Sequence, residues 1–206
     1  MLKSFILLTA FLVLSCDYIS KKETSLPQKA SVYFSIGDVF INENKATVGQ
    51  ILQNGDIILT GNESALEVKF GKQSAFRVRE NSEVVFNLQP EFSLTLKNGK
   101  VLNILEKKSD YKIRTPSAVA AVRGTIFFVS VLDQLKSYVC ACNGTIALED
   151  STQNELTQLS AAHHKSNFCE KLNGQVQLSD AEMMQHDDLE IFDFMYRLDQ
   201  ANKPGK

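Results

Sequence analysis

Tyr111-Lys-Ile-Arg-Thr115-Pro116-Ser-Ala-Val-Ala-Ala-Val122-Arg123-Gly124-Thr125-Ile-Phe127 alternates like a strand and breaks at Thr-Pro. It then runs through small apolar residues and sets Arg-Gly-Thr before Phe127-Phe128-Val129. Proline fixes φ and removes a backbone donor, and it pushes Thr115 towards extended geometry. Gly124 supplies a conformation or a close approach that other residues resist. Arg123, between apolar neighbours, needs its donors met by carbonyls or a carboxylate. Such a segment is a fixed corner between strands, and it holds no nucleophile–base pair.

Outward from this corner, residues 31–150 have β texture. Strand-like runs stand at Val32–Ile36, Asp56–Thr60, Ala65–Phe70 and Ser93–Lys97, parted by turn chemistry at Gly61-Asn62, Gly71-Lys72 and Asn98-Gly99. Leu66, Val68 and Phe70 fall on one face of their strand, Glu67 and Lys69 on the other. Glycine followed by an extended apolar run recurs at Gly37, Gly55, Gly99, Gly144 and Gly174, at irregular spacing that excludes a strict solenoid period. The expectation is a mainly β chain, either a sandwich or a short β-solenoid-like wrap around one core.

Gly37-Asp38-Val39, then Gly55-Asp56-Ile57-Ile58-Leu59-Thr60-Gly61, then Ala65-Leu66-Glu67-Val68, then the Thr-Pro and Val-Arg-Gly-Thr corner follow one another in order. Over roughly residues 32–148 this series resembles the FecR-type domains, envelope-facing modules named after the iron-citrate uptake regulator. The fold signature lies in Thr115, Pro116, Val122, Arg123, Gly124, Thr125 and Phe127. The resemblance implies a β domain that binds a ligand or a protein partner. Arg123 and Thr125 are either part of a structural corner or a place for an anion such as a carboxylate.

Met1 to Ser15 has the form of an export signal. Lys3 precedes the apolar run Phe5–Leu14, which is shorter than the roughly 20 residues of a spanning helix. Val13-Leu14-Ser15-Cys16 is similar to a bacterial lipobox, with Val13 where leucine is more usual. Residues 1–15 are therefore expected to be a signal peptide, Cys16 a lipidated N-terminus, and residues 16–30 a polar tether. The expected place is a cell membrane, lipid-anchored and facing the periplasm or the cell surface. Regulators of the resembled family also carry a cytoplasmic segment and a spanning helix. Neither is expected here, so signalling along their route is expected to need a second protein.

Hydrophobic content of 44% and charged content of 22% suit an ordinary globular chain. A net charge of −2, with no basic cluster interleaved with aromatics, argues against nucleic acid. Past Asp150 the texture changes, and residues 151–206 are expected to form a Cys/His-containing extension ending in a helix. Asp187 with Glu190 makes a capping-box pattern, and Leu189, Phe192, Met195, Tyr196 and Leu198 form much of an apolar stripe.

Beyond Cys16, the cysteines are Cys140, Cys142 and Cys169, and the histidines are His163, His164 and His186, all between residues 140 and 186. Cys140 and Cys142, two apart on a strand, point to one face. Thiolate with imidazole is a ligand set for a transition metal or haem iron, and only one of the adjacent His163/His164 pair is expected to reach a shared ion. Three readings stay open: a metal or haem site, a Cys142–Cys169 disulfide, or plain packing. No phosphate loop, nucleophile elbow or metalloprotease helix occurs. The leading expectation is a lipid-anchored, non-catalytic envelope protein with a ligand- or protein-binding domain. A metal or haem carrier and a peptidoglycan-contacting structural protein are the alternatives.

Overall fold

A computed structural model describes residues 29–107, 110–122 and 124–203. Cys16 and Arg123, with the signal reading and the tether up to residue 28, lie outside them; Ala30, at the end of the expected tether, is buried in the core. Fifteen strands and one helix follow in order. They are β1 (Ser31–Ile36), β2 (Val39–Ile41), β3 (Asn44–Lys45), β4 (Ile57–Thr60), β5 (Ala65–Phe70), β6 (Ser74–Val78), β7 (Ser82–Asn87) and β8 (Ser93–Ile104). After them come β9 (Tyr111–Arg114), β10 (Val119–Val122), β11 (Ile126–Val131), β12 (Lys136–Glu149), β13 (Glu155–Ala161), β14 (Lys165–Leu172), β15 (Gln175–Ala181) and the helix α1 (Asp188–Asn202).

Hydrogen bonding arranges the strands into two layers joined by two long strands. One sheet runs β1-β5-β6-β8-β11-β12-β14-β15, the other β3-β2-β4-β7-β8-β9-β10-β12-β13. β8 belongs to the second sheet over Ser93–Asn98 and to the first over Gly99–Ile104. β12 belongs to the first up to Asn143 and to the second from Gly144. The main core lies between the layers. Leu66, Val68, Phe76, Val101, Phe127 and Val129 of one sheet meet Val39, Ile58, Val84, Phe86, Leu94 and Ile146 of the other. The architecture is thus a sandwich rather than a solenoid-like wrap.

The two crossings share a device. The pairing of β8 with β7 slips by one residue between Leu96 and Asn98, and that of β12 with β11 slips between Ala141 and Asn143. One extra residue reverses the in/out alternation and turns the strand. Leu94 and Leu96 face inward before the slip in β8, as do Val101 and Asn103 after it. In β12, Val139 and Ala141 face inward before the slip, as do Ile146 and Leu148 after it. Asn98-Gly99, expected as a turn between strands, is instead a bend inside a continuous one, and Asn143-Gly144 is another. Gly144 has φ +113°, and a Cβ there would lie 2.7 Å from the Thr125 Cβ.

The Thr-Pro corner joins β9 to β10, and the Gly124 corner joins β10 to β11. Thr115 holds the β9–β10 turn, its hydroxyl accepting from the Ala118 amide at 3.0 Å and donating to the Ala118 carbonyl at 2.9 Å. Pro116 sits in that turn, while Val122 and Phe127 are buried in the core. Gly124, with φ +68°, lies where the chain leaves one sheet for the other, and a Cβ there would come 2.5 Å from the Lys107 Cα. Thr125, also buried, donates to the Asn143 carbonyl and so ties the corner to the bend of β12.

The change expected at Asp150 is a hairpin turn, and the strands continue beyond it. The Asp150 carboxylate accepts from the Thr152 and Asn154 amides at 2.8 and 3.0 Å, and β13 returns along β12. α1 then covers the outer face of the first sheet, making a second core of Ala75, Leu102, Phe128, Tyr138, Ile191, Phe194 and Leu198. No helix among the described residues is long and apolar enough to cross a membrane.

A β-branched side chain at Gly144 meets both the positive φ and Thr125. Gly144→Val is expected to lose about 3 kcal/mol of stability. Urea unfolding reads this directly, and an unchanged midpoint would contradict the bend.

Candidate functional site

On β12 the residues 138, 140 and 142 all face away from the main core, because the alternation does not slip until the bend. Cys140 and Cys142 therefore project together, as expected, into the space beneath the start of α1. His164 comes from the turn joining β13 and β14, where its φ of +39° turns the ring under the helix. His186 arrives from the segment just before the Asp187 cap, whose Oδ1 accepts from the Glu190 amide at 2.8 Å.

The four side chains converge. Cys140 Sγ lies 3.5 Å from His164 Nδ1, and Cys142 Sγ lies 3.4 Å from His186 Nε2. One donor atom from each of the four falls within 4.8 Å of all the others. Cys140 is fully buried, and Cys142 and His186 are nearly so. The His186 ring stacks on Phe128 with centroids 4.4 Å apart and planes 17° apart.

Hydrogen bonds orient both rings. His186 Nδ1 donates to the Met184 carbonyl at 2.9 Å, since a carbonyl only accepts. His164 Nε2 donates to Asp188 Oδ1 at 3.0 Å, and Asp188 Oδ2 serves His163 Nε2 at 3.1 Å. These two imidazoles hold the Asp188 carboxyl below the usual carboxylate range, His164 contributing most. Burial opposes charge on His164, yet Asp188 and Cys140 together lift its pKa above the ordinary imidazole value. The side-chain hydrogen bond between the two cysteines draws the Cys140 thiol down and pushes Cys142 up.

Of the residues singled out from sequence, Cys140, Cys142, His164 and His186 meet. His163 does not join them: it is exposed, and its ring meets Asp188 and, edge-on, the His164 ring. Cys169 stands apart in the main core. On β14, Cys169 faces inward while Ser166 and Phe168 face the helix side, so Cys169 and Cys142 lie on opposite faces of one sheet. The Cys142–Cys169 bridge, one of the three readings left open, is therefore corrected: all three described cysteines are free. Asp188 went unnoticed in the sequence, where it reads as one more acid in a helix's first turn. Cys140, His164 and Asp188 also align as a thiol–imidazole–carboxylate relay, but the sulfur is fully buried, which denies a substrate access to it.

A second polar group bolts α1 down. Glu67 and Arg77 are direct cross-strand partners, both on the outer face and both covered by the helix. Arg77 reaches Glu67 at 2.7 Å and Asp193 of α1 at 2.7 Å, with its guanidinium 4.8 Å from the Phe194 ring centroid. Burial pushes the Glu67 carboxyl up, against the pull of Arg77. Arg79 adds Glu190 at 3.0 Å, and Lys69 and Asn202 tie the far end through Ala201 and Lys72 carbonyls.

Removing one partner of a buried ion pair strands the other. Arg77→Met alone is expected to cost roughly 3–5 kcal/mol, whereas Glu67→Leu with Arg77→Met costs about 1 kcal/mol or less, both by urea unfolding. Peptide mapping of the non-reduced chain is expected to recover Cys142 and Cys169 in separate peptides; a joined peptide would refute their opposite facing.

Residues 56–147 match the model of the family described as FecR protein. Two crystal structures of a candidate anti-sigma factor from Parabacteroides distasonis ATCC 8503, at 1.65 and 2.50 Å, align at 12% identity with TM-scores of 0.48 and 0.49. Each alignment covers 60% of this chain and 59% of the other, so the chain spans under two thirds of that protein. No curated protein matches. The family match takes in Cys140 and Cys142 but ends before His164 and His186, so the cluster straddles its border. From the residue before β4 into the last third of β12, over residues 56–147, this chain carries a FecR-type domain.

Proposed function

We propose that this chain is a lipid-anchored, non-catalytic envelope protein whose FecR-type sandwich presents α1 to a protein partner. The observation that carries this reading is the second apolar face of the helix. Ile191, Phe194 and Leu198 are buried against the sandwich, while Leu189, Phe192, Met195 and Tyr196 remain 77%, 64%, 42% and 65% exposed. Exposed apolar side chains of that size on one helical face mark interaction surfaces. The helix is held on a rigid β layer by ion pairs, so its outward face is presented in a fixed orientation and binding entails little ordering.

The family supports a sensor or regulatory interaction role, and its members are envelope proteins. Lipidation at Cys16 would hold the domain at a membrane surface with the tether setting its reach. The partner that fits is a protein offering an apolar groove about two helical turns long, as in helix-in-groove recognition.

A photo-crosslinking residue placed at Phe192 is expected to capture an envelope protein, and one at Lys97, on the far sheet, is not. Leu189→Glu with Tyr196→Glu abolishes that capture. Equal labelling at both positions, or a product containing only a second copy of this chain, would sink the partner reading.

A further inference from the structure

We propose that Cys140 Sγ, Cys142 Sγ, His164 Nδ1 and His186 Nε2 form a tetrahedral site for one borderline-soft metal ion, with zinc as its probe. This goes beyond the partner reading and does not depend on it.

The geometry fits an ion of that class. With metal–sulfur bonds of about 2.3 Å and metal–nitrogen bonds of about 2.0–2.1 Å, a tetrahedron has sulfur–nitrogen edges of roughly 3.5–3.6 Å. The two sulfur–nitrogen separations here are 3.5 and 3.4 Å. Two of the six edges already have the length of a closed site, and the others, none above 4.8 Å, need shorten by at most about 1.5 Å to close on an ion. A haem fits badly, because its iron takes axial ligands on opposite faces of a wide ring. Four donors within 4.8 Å of one another leave no plane for that ring.

The outer hydrogen bonds fit as well. A ligating imidazole commonly donates its other N–H to a carboxylate or a backbone carbonyl, which fixes the tautomer and turns the free lone pair inward. His186 does so through Met184 and His164 through Asp188. In each ring the nitrogen that does not donate outward is the one that faces a sulfur. Phe128 holds the His186 plane. Two separate S–H···N hydrogen bonds would account for each short separation by itself, but not for the convergence of all four donors within 4.8 Å.

Charge balance explains the burial. Binding a divalent ion releases the thiol protons to solvent and leaves two thiolates that cancel its charge, so the site is neutral in an apolar pocket. The ligands come from β12, from the β13–β14 turn and from the segment before α1. One ion would thus pin the start of α1 to the sandwich.

The full chain, purified in detergent under reducing conditions and stripped with a chelator, is titrated with zinc and with cobalt. The expected result is one equivalent per chain, tetrahedral cobalt absorption with a sulfur-to-cobalt charge-transfer band, and a higher melting temperature with zinc. Cys142→Ser and His186→Ala abolish the charge-transfer spectrum or the stoichiometric binding. Asp188→Asn, which keeps all four ligands, weakens binding about 10- to 100-fold. His163→Ala leaves it unchanged. If Cys142→Ser fails to fold, the Asp188→Asn titration still decides. Absence of a stoichiometric ion, binding that survives in both ligand variants, or rapid alkylation of Cys140 under excess zinc would each overturn the site.

Discussion

Everything on the outer face of this protein depends on where the alternation of β12 slips. A strand sends successive side chains to opposite faces, and that rule has no tolerance for an odd residue. Through Ala141 the rule places Val139 and Ala141 in the main core and Tyr138, Cys140 and Cys142 outside it. The slip comes immediately after, at the Asn143 bend, and lets Ile146 and Leu148 re-enter the core from the other sheet. A slip two residues earlier would turn Cys142 towards the core and separate the two sulfurs. The same bulge also makes room for Thr125, whose bond to the Asn143 carbonyl joins the Gly124 corner to the candidate site. Corner and site are thus two ends of one local constraint.

The bend recurs in β8, at Lys97-Asn98-Gly99, with Ser82 standing where Thr125 stands beside Gly144. Two long strands that each serve both sheets leave little freedom for the layers to slide. That rigidity suits a scaffold on which a helix is mounted. Held chiefly by three apolar side chains, the helix would be a weak appendage. Glu67 and Arg77 change that, because each is buried only as long as α1 lies over them. Undocking the helix would hydrate both charges, but it would also break the Arg77–Asp193 and Arg79–Glu190 pairs together. Such buried pairs add more to the orientation of an element than to its net stability.

Much of this was legible in the residues. The Thr-Pro turn, the Gly124 crossing, the same-face cysteines and the Asp187 cap each follow from one local rule, and local rules survive folding. What could not be read depended on long-range pairing. Asn-Gly is turn chemistry when a chain is considered alone, and only the neighbouring strand makes it a bulge. Glu67 and Lys69 alternate as a solvent face should, yet a helix more than a hundred residues away covers them. Cys169 resembles its fellow cysteines in sequence, but the register of β14 turns it inward. Of the apolar stripe expected on the helix, Leu198 packs on the sheet and Leu189, Phe192, Met195 and Tyr196 point outward; Ile191 and Phe194 complete the packed face, and the choice between two faces lies with the sheet.

α1 concentrates the consequences. Its first turn carries Asp188, which orients His164; its inner face carries the ion pairs; its outer face carries four exposed apolar side chains. A ligand set shared between the FecR-type domain and the segment beyond it would make occupancy and helix position one equilibrium, since any ion that binds the docked state better favours docking by that difference. The exposed face lies on the same short helix. A partner that prefers the docked helix would therefore bind more tightly to the occupied protein, and the ion would bind more tightly in the partner's presence, by the same factor. The coupling requires no change in the sandwich, because the ion would hold the segment that leads into α1 and the partner would hold α1 itself.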